Sequence, residues 1–111
     1  MDLSSAAYLQ NMQPVPIEII CYHCQQSAEK FLKGYLALRG EAIRKTHDLV
    51  QLNKLCQLYD REFRQIENEC FDLTDYGVQI RYPFPLEVSE ADLILALKNA
   101  SQVKEFILQK C

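Results

Sequence analysis

With 111 residues, 49% of them hydrophobic and 24% charged, the chain has the size and balance of one globular domain rather than a disordered tail. A net charge of −3 excludes a protein coated in basic residues for bulk nucleic-acid binding. No apolar run approaches the roughly 18 residues needed to cross a bilayer and no signal-peptide pattern follows Met1, so a cytoplasmic protein with no membrane partner is expected.

The charge is unevenly spread. Between Lys30 and His47 the bases Lys30, Lys33, Arg39, Arg44 and Lys45 face only Glu41, a local balance of +4 that leaves −7 for the rest of the chain. A basic region on an acidic body would steer a phosphate-bearing partner to one place, or would simply be a solvated face. The five cysteines (Cys21, Cys24, Cys56, Cys70, Cys111) are an odd number and, without a secretory signal, read as free thiols.

Few glycines and prolines punctuate the chain, and apolar residues recur at helical spacing between them. A first short helix is predicted over about residues 3–12, stopping before Pro14-Val15-Pro16. A second runs from about Ile17 to Arg39 and ends at Gly40. At 100° per residue, Ile20, Cys21, Cys24, Ala28, Phe31, Leu32, Tyr35 and Leu38 share one sector, while His23, Gln26, Lys30 and Lys33 form a polar stripe on nearly the opposite side. The Cys21-x-x-Cys24 spacing tempts a zinc reading. A structural zinc site needs about four ligands, however, and both thiols fall on the apolar stripe, so core packing is expected with no metal and no cofactor.

The stretch Arg44-Lys45-Thr46-His47-Asp48-Leu49 opens a third helix. Thr46 is its expected cap, with Asp48 in the first turn and Leu52, Leu55, Cys56 and Tyr59 facing inward. That register puts His47 at the second helical position, beside unpaired backbone N–H groups that attract an anion. The helix dipole would keep the imidazole neutral and able to act as a base. The alternative is a histidine that merely closes a helix start.

A fourth helix, about Glu62 to Val78, carries Phe63, Ile66, Cys70, Leu73 and Gly77 at spacings of three and four. The loop Arg81-Tyr82-Pro83-Phe84-Pro85 then breaks the pattern. Pro83 forces Tyr82 into an extended conformation, and Arg81 either reaches a phosphate or clamps a carboxylate such as Glu29. Ser89 starts the last helix, with Asp92 completing a cap and Leu93, Ala96, Leu97, Ala100, Val103 and Ile107 forming its stripe. Short connections imply antiparallel neighbours. The fold class is therefore all-α, an up-and-down antiparallel bundle of four to five helices in a single domain over 1–111.

Three stretches in order carry a resemblance. Tyr22-His23-Cys24-Gln25-Gln26-Ser27-Ala28-Glu29-Lys30-Phe31-Leu32-Lys33 is similar to the "FHAQQAAEKALK" helix of the HEPN family, the higher-eukaryote and prokaryote nucleotide-binding domains. Thr46-His47-Asp48-Leu49 and Arg81-Tyr82-Pro83 follow, then a closing amphipathic helix. Against that family the first helix is two or three turns short.

The resemblance implies a homodimer built through helix faces, of the type that serves as the substrate-binding subunit beside a minimal nucleotidyltransferase in toxin–antitoxin pairs. Many relatives are metal-independent ribonucleases in which an Arg and a His, four to six residues apart, move protons and stabilise phosphate charge. Here Arg44 precedes His47 with two residues between and Arg39 with seven, so the nuclease spacing is not matched, and the Arg81-Tyr82-Pro83 branch generally lacks that motif. Arg39 could still approach His47 across the Gly40 turn.

The leading expectation is a non-catalytic module that binds a nucleotide or other phosphate ligand through Lys30, Lys33, Arg44, His47, Arg81 and Tyr82, with Tyr76 as a further candidate. The second is an endoribonuclease acting on RNA through His47 with Arg39 or Arg44. The third is a purely structural dimerisation module.

Overall fold

A computed structural model describes residues 17–42, 44–77 and 88–111. The helix predicted over 3–12 and the Arg81–Pro85 loop, with Arg81 and Tyr82, lie outside the described residues. Those described are helical or connecting, with no strand among them.

Helix α1 spans Ile17–Leu38. It stops where the sequence supplies a residue able to turn left-handed: Gly40 has φ 83°, its N–H bonds Ala37 O at 3.0 Å, and Glu41 N–H reaches Leu36 O at 3.0 Å. This pair of bonds is the Schellman closure that satisfies the last carbonyls. Ile20, Cys21, Cys24, Ala28, Leu32 and Tyr35 are buried as their spacing requires. Each large apolar side chain so buried is worth about 1.5–3 kcal/mol.

Two parts of the expected stripe differ. Leu38 is 70% exposed. His23, expected on the polar stripe, is buried, and so are Gln25, Ser27 and Glu29. The first half of α1 is thus enclosed on more sides than an apolar stripe can reveal. Burial lowers the pKa of the His23 imidazole, and neither ring nitrogen has a hydrogen-bond partner among the described residues. The thiols of Cys21, Cys24, Cys56 and Cys70 lie in the core and are pushed up to about 12 by burial. They pack as small hydrophobes and have little thiolate character.

Helix α2 covers Leu49–Tyr59 and buries Leu49, Leu52, Asn53 and Cys56. Tyr59, expected inward, is exposed and donates its hydroxyl to Glu41. The contacts Gln25–His47, Leu32–Cys56 and Glu41–Tyr59 step in the same order along α1 and α2. The connection from Arg39 to Asp48 therefore folds back along α1 before α2 begins. At Asp60 the link is a single residue, and there the chain reverses into an antiparallel segment.

Spacing alone predicts one helix over about 62–78 for that segment. It consists of a 3-10 turn at Arg61–Ile66, helix α3 at Glu67–Thr74 and a second 3-10 turn at Asp75–Gly77. Asn53 explains part of the interruption: its buried amide donates to Phe63 O at 3.0 Å, drawing that carbonyl towards α2. Helix α4, Glu90–Leu108, starts at Ser89 with the expected capping box and buries Leu93, Ala96, Asn99, Ala100, Val103 and Ile107. The aromatic centre ties the elements together, with Tyr35 and Phe63 ring centroids 4.5 Å apart and Phe63 and Phe106 5.0 Å apart. The result is an all-helical bundle in which α1 packs against every other helix.

Candidate functional site

The site grows from two residues one helical turn apart on α1, Gln25 and Glu29, both buried. Gln25 donates to the backbone carbonyl of His47 at 3.0 Å and to Glu29 Oε1 at 3.3 Å. This holds the returning connection against α1. Glu29 then meets the His47 ring, with Nδ1 3.0 Å from each carboxylate oxygen. Lys33, one further turn along, donates to Glu29 Oε2 at 3.0 Å. Burial pushes the Glu29 carboxyl up, but the hydrogen bonds from Lys33, His47 and Gln25 outweigh it and hold the group below the usual carboxylate range.

The consequence is a directed imidazole. With Nδ1 engaged by a carboxylate that stays ionised, the other nitrogen, Nε2, carries the ring's free lone pair or proton. The His47 side chain is 67% exposed while Glu29 is 9% exposed, so the anchor is inside and the working edge is outside.

Asp48, rather than Thr46, caps α2. Its carboxylate accepts from Val50 N at 2.9 Å and Gln51 N at 3.3 Å, while Thr74 Oγ1 accepts from Leu49 N at 2.9 Å. Thr46 Oγ1 instead takes the Asp48 N–H at 3.1 Å, a short turn that delays the helix by two residues. His47 therefore precedes the cap. The backbone groups that would have cradled an anion are occupied by protein oxygens, and Asp48 places a negative charge over them. Anion attraction here must come from side chains.

Several supply it. Lys33 and Arg44 line a shallow groove floored by Leu36, Ala37 and Ala42, with Glu41 on its edge. Arg44 bonds Glu41 at 3.3 Å. Lys30 and Lys45 are exposed. Arg39 sits elsewhere, its guanidinium 5.1 Å from the Tyr35 ring centroid. Arg39 follows the end of α1, ten residues beyond Glu29, and makes no hydrogen bond or ion pair with His47 among the described residues. Tyr76 is half-buried, its hydroxyl pushed up to about 12 by burial and by the neighbouring Cys21, Asp92, Asp72 and Asp75. Such acidic surroundings suit no anion.

Glu29 and Gln25 are the residues that sequence reasoning undervalued. From sequence, Glu29 offers only a pairing with Arg81, and Gln25 stands out for no chemistry. The signal for both was their four-residue spacing with Lys33, which puts three hydrogen-bonding groups on one line of α1.

Among the described residues, then, the fold and site define an all-helical bundle that presents a carboxylate-anchored histidine beside a basic groove. The HEPN domain family model matches residues 1–111, and the chain belongs to that family. Comparison with curated proteins and with solved structures returned no match. No helix among the described residues is long and apolar enough to cross a membrane.

Proposed function

We propose that this HEPN domain is a homodimeric module that binds a nucleotide or another phosphate-bearing ligand and partners a minimal nucleotidyltransferase. The observation that carries the reading is the His47 ring, fixed by Glu29 and turned outward, with Lys33 on the same carboxylate and also lining the groove that holds Arg44. Two of these cations share carboxylates, so a phosphate competes for groups already oriented rather than for free side chains. Titration of the purified chain with ATP, AMP and inorganic phosphate tests it. Binding is expected to weaken about tenfold or more in His47→Ala and in Lys33→Ala, since a hydrogen bond to a charged group is worth about 1.5–3 kcal/mol. It should also weaken with added salt. Absence of binding to all three probes, together with no complex with a minimal nucleotidyltransferase, removes the reading.

One observation favours a second reading, an endoribonuclease. A carboxylate on Nδ1 and an exposed Nε2 form the arrangement of a general base that takes the proton of an RNA 2′-hydroxyl as its oxygen attacks phosphorus and the 5′-oxygen leaves. Arg39 and Arg44 engage Tyr35 and Glu41 instead of His47, so the phosphate-stabilising arginine would come from a second subunit. Cleavage of single-stranded RNA in chelator, lost in His47→Ala, would establish this reading in place of a binding module.

A further inference from the structure

A second cavity lies apart from the Lys33–Arg44 groove and shares no residue with it. It is a cleft of about 210 Å³ between α2 and α3, lined by Val50, Asn53, Glu67, Asn68 and Phe71. At ~30 Å³ per water it has room for about seven waters, or for a ligand of a few heavy atoms.

Its polar wall is built from two helices and fixed by one amide. Asn53 is buried and spends its Nδ2 on Phe63 O at 3.0 Å, so what it can offer the cleft is its oxygen. Gln57 Nε2 donates to that Asn53 Oδ1 at 2.6 Å and to Glu67 Oε2 at 2.9 Å, tying the carboxylate of α3 to α2. The other carboxylate oxygen, Oε1, has no partner among the described residues. The groups held in place are therefore acceptors, and a wall of acceptors calls for a ligand that only donates.

Charge and shape narrow the class. Glu29, Glu41, Asp60 and Glu62 each meet a lysine or arginine, but among the described residues Glu67 meets none. No base lies between Arg64 and Arg81 in the sequence to supply one locally. Phe71 is 68% exposed and follows Glu67 by four residues, so its ring stands one turn away on the same face of α3. A cation on that carboxylate comes within reach of the ring face. Because Gln57 occupies one carboxylate oxygen, the two-pronged fork of a guanidinium is poorly matched, whereas a compact ammonium needs only the other.

We propose that the α2–α3 cleft binds a primary alkylammonium ion, that is, a small aliphatic amine. The ammonium sits between Glu67 Oε1 and the Phe71 ring, and the alkyl chain lies against Val50. This site is independent of the phosphate reading at His47.

Amide NMR of the full chain, titrated with n-butylammonium chloride at constant ionic strength, tests it. Saturable shifts are expected at Val50, Asn53, Glu67, Asn68 and Phe71. The neutral analogue n-butanol should bind at least about tenfold more weakly, and methylguanidinium should also bind more weakly than butylammonium. Glu67→Gln, which keeps an oxygen for Gln57, should weaken binding about tenfold, and Phe71→Ala about threefold, with circular dichroism confirming helical folding of both. A titration without saturable shifts at these amides, or Glu67→Gln binding as the wild type does, overturns the site. Unchanged binding by Phe71→Ala overturns the placement against the ring. Butanol binding as tightly as butylammonium overturns the charge recognition, and tighter binding of methylguanidinium overturns the choice of ammonium.

Discussion

The starts of α2 and α4 are each capped by a short oxygen-bearing side chain, yet they are anchored in different ways. At α4 the whole device lies within four residues: Ser89 Oγ accepts from Asp92 N at 3.2 Å and the Asp92 carboxylate accepts from Ser89 N at 3.0 Å. At α2 the cap is Asp48, but Thr74 from α3 and Gln25 from α1 hold the same few residues. A local cap decides where a helix begins. A cap tied to two other helices also decides where the residue before it must sit, and that residue is His47. The position of the candidate site is therefore a product of tertiary packing, whereas the start of α4 would survive without it.

If that contrast is right, Gln25 is the residue whose loss is felt most. Its side chain is fully buried and donates to the His47 carbonyl and to Glu29. Gln25→Ala leaves both acceptors short of a donor and opens a void, and each buried orphan costs about 1–3 kcal/mol. Urea unfolding should show a loss of about 2–4 kcal/mol. Gly77→Ala offers an independent route to the same injury. A Cβ there would stand 2.5 Å from Gln25 Cδ, so Gln25 must shift from the position in which it bonds His47 and Glu29. A loss under about 1 kcal/mol in both variants would mean that α2 is held by its own cap alone.

The same contrast explains what could be read in advance. Ser89 and Asp92 were legible because the capping box is a pattern of spacing in a single stretch of chain. The apolar ridge of α1 was legible for the same reason, from Ile20 to Tyr35. Thr46 reads as the cap because sequence alone cannot tell a hydroxyl that caps a helix from one that accepts the N–H of the true cap two residues on. His23 was misjudged because periodicity reports the chemistry of a face, and burial depends on what packs against it. The Glu29–His47 pair joins residues 18 apart through a connection that doubles back, and no local pattern encodes that return.

Removing each cap in turn sharpens the comparison at an intermediate scale. Asp48→Ala is expected to cost about 1–2 kcal/mol and Ser89→Ala, at an exposed site, nearer 0.5–1 kcal/mol. The more discriminating measurement is coupling to Thr74. Thr74 Oγ1 accepts from Leu49 N and donates to Asp48 Oδ1 at 3.5 Å, so Asp48→Ala and Thr74→Val share partners. Their effects in a double-mutant cycle should fail to add by at least about 0.5 kcal/mol, whereas Ser89→Ala and Thr74→Val, with no partner in common, should add. Additivity in both cycles would dissolve the distinction between the two helix starts.

The smallest expected effect lies in the acid limb of stability and belongs to Glu29. Its carboxyl is held below the ordinary value of 4.5 in the folded chain. A depressed folded pKa means that the unfolded chain takes up the proton first as pH falls. The contribution of Glu29 is therefore complete above about pH 4.5, the ordinary value, and shrinks below it until pH has passed through the folded pKa. Exposed ends on Lys33 and His47 keep the contribution under about 1 kcal/mol. Stability measured against pH for wild type and Glu29→Gln isolates it, since the acids at the α4 cap and at Asp60 titrate alike in both proteins. The gap between the curves should be constant from neutral pH down to about 4.5 and should narrow below that. A gap that widens towards acid would mean that burial, rather than its three hydrogen bonds, governs Glu29. The anchor of His47 would then be a protonated carboxylic acid, donating to Nδ1 instead of accepting from it, and Nε2 would have to carry the proton.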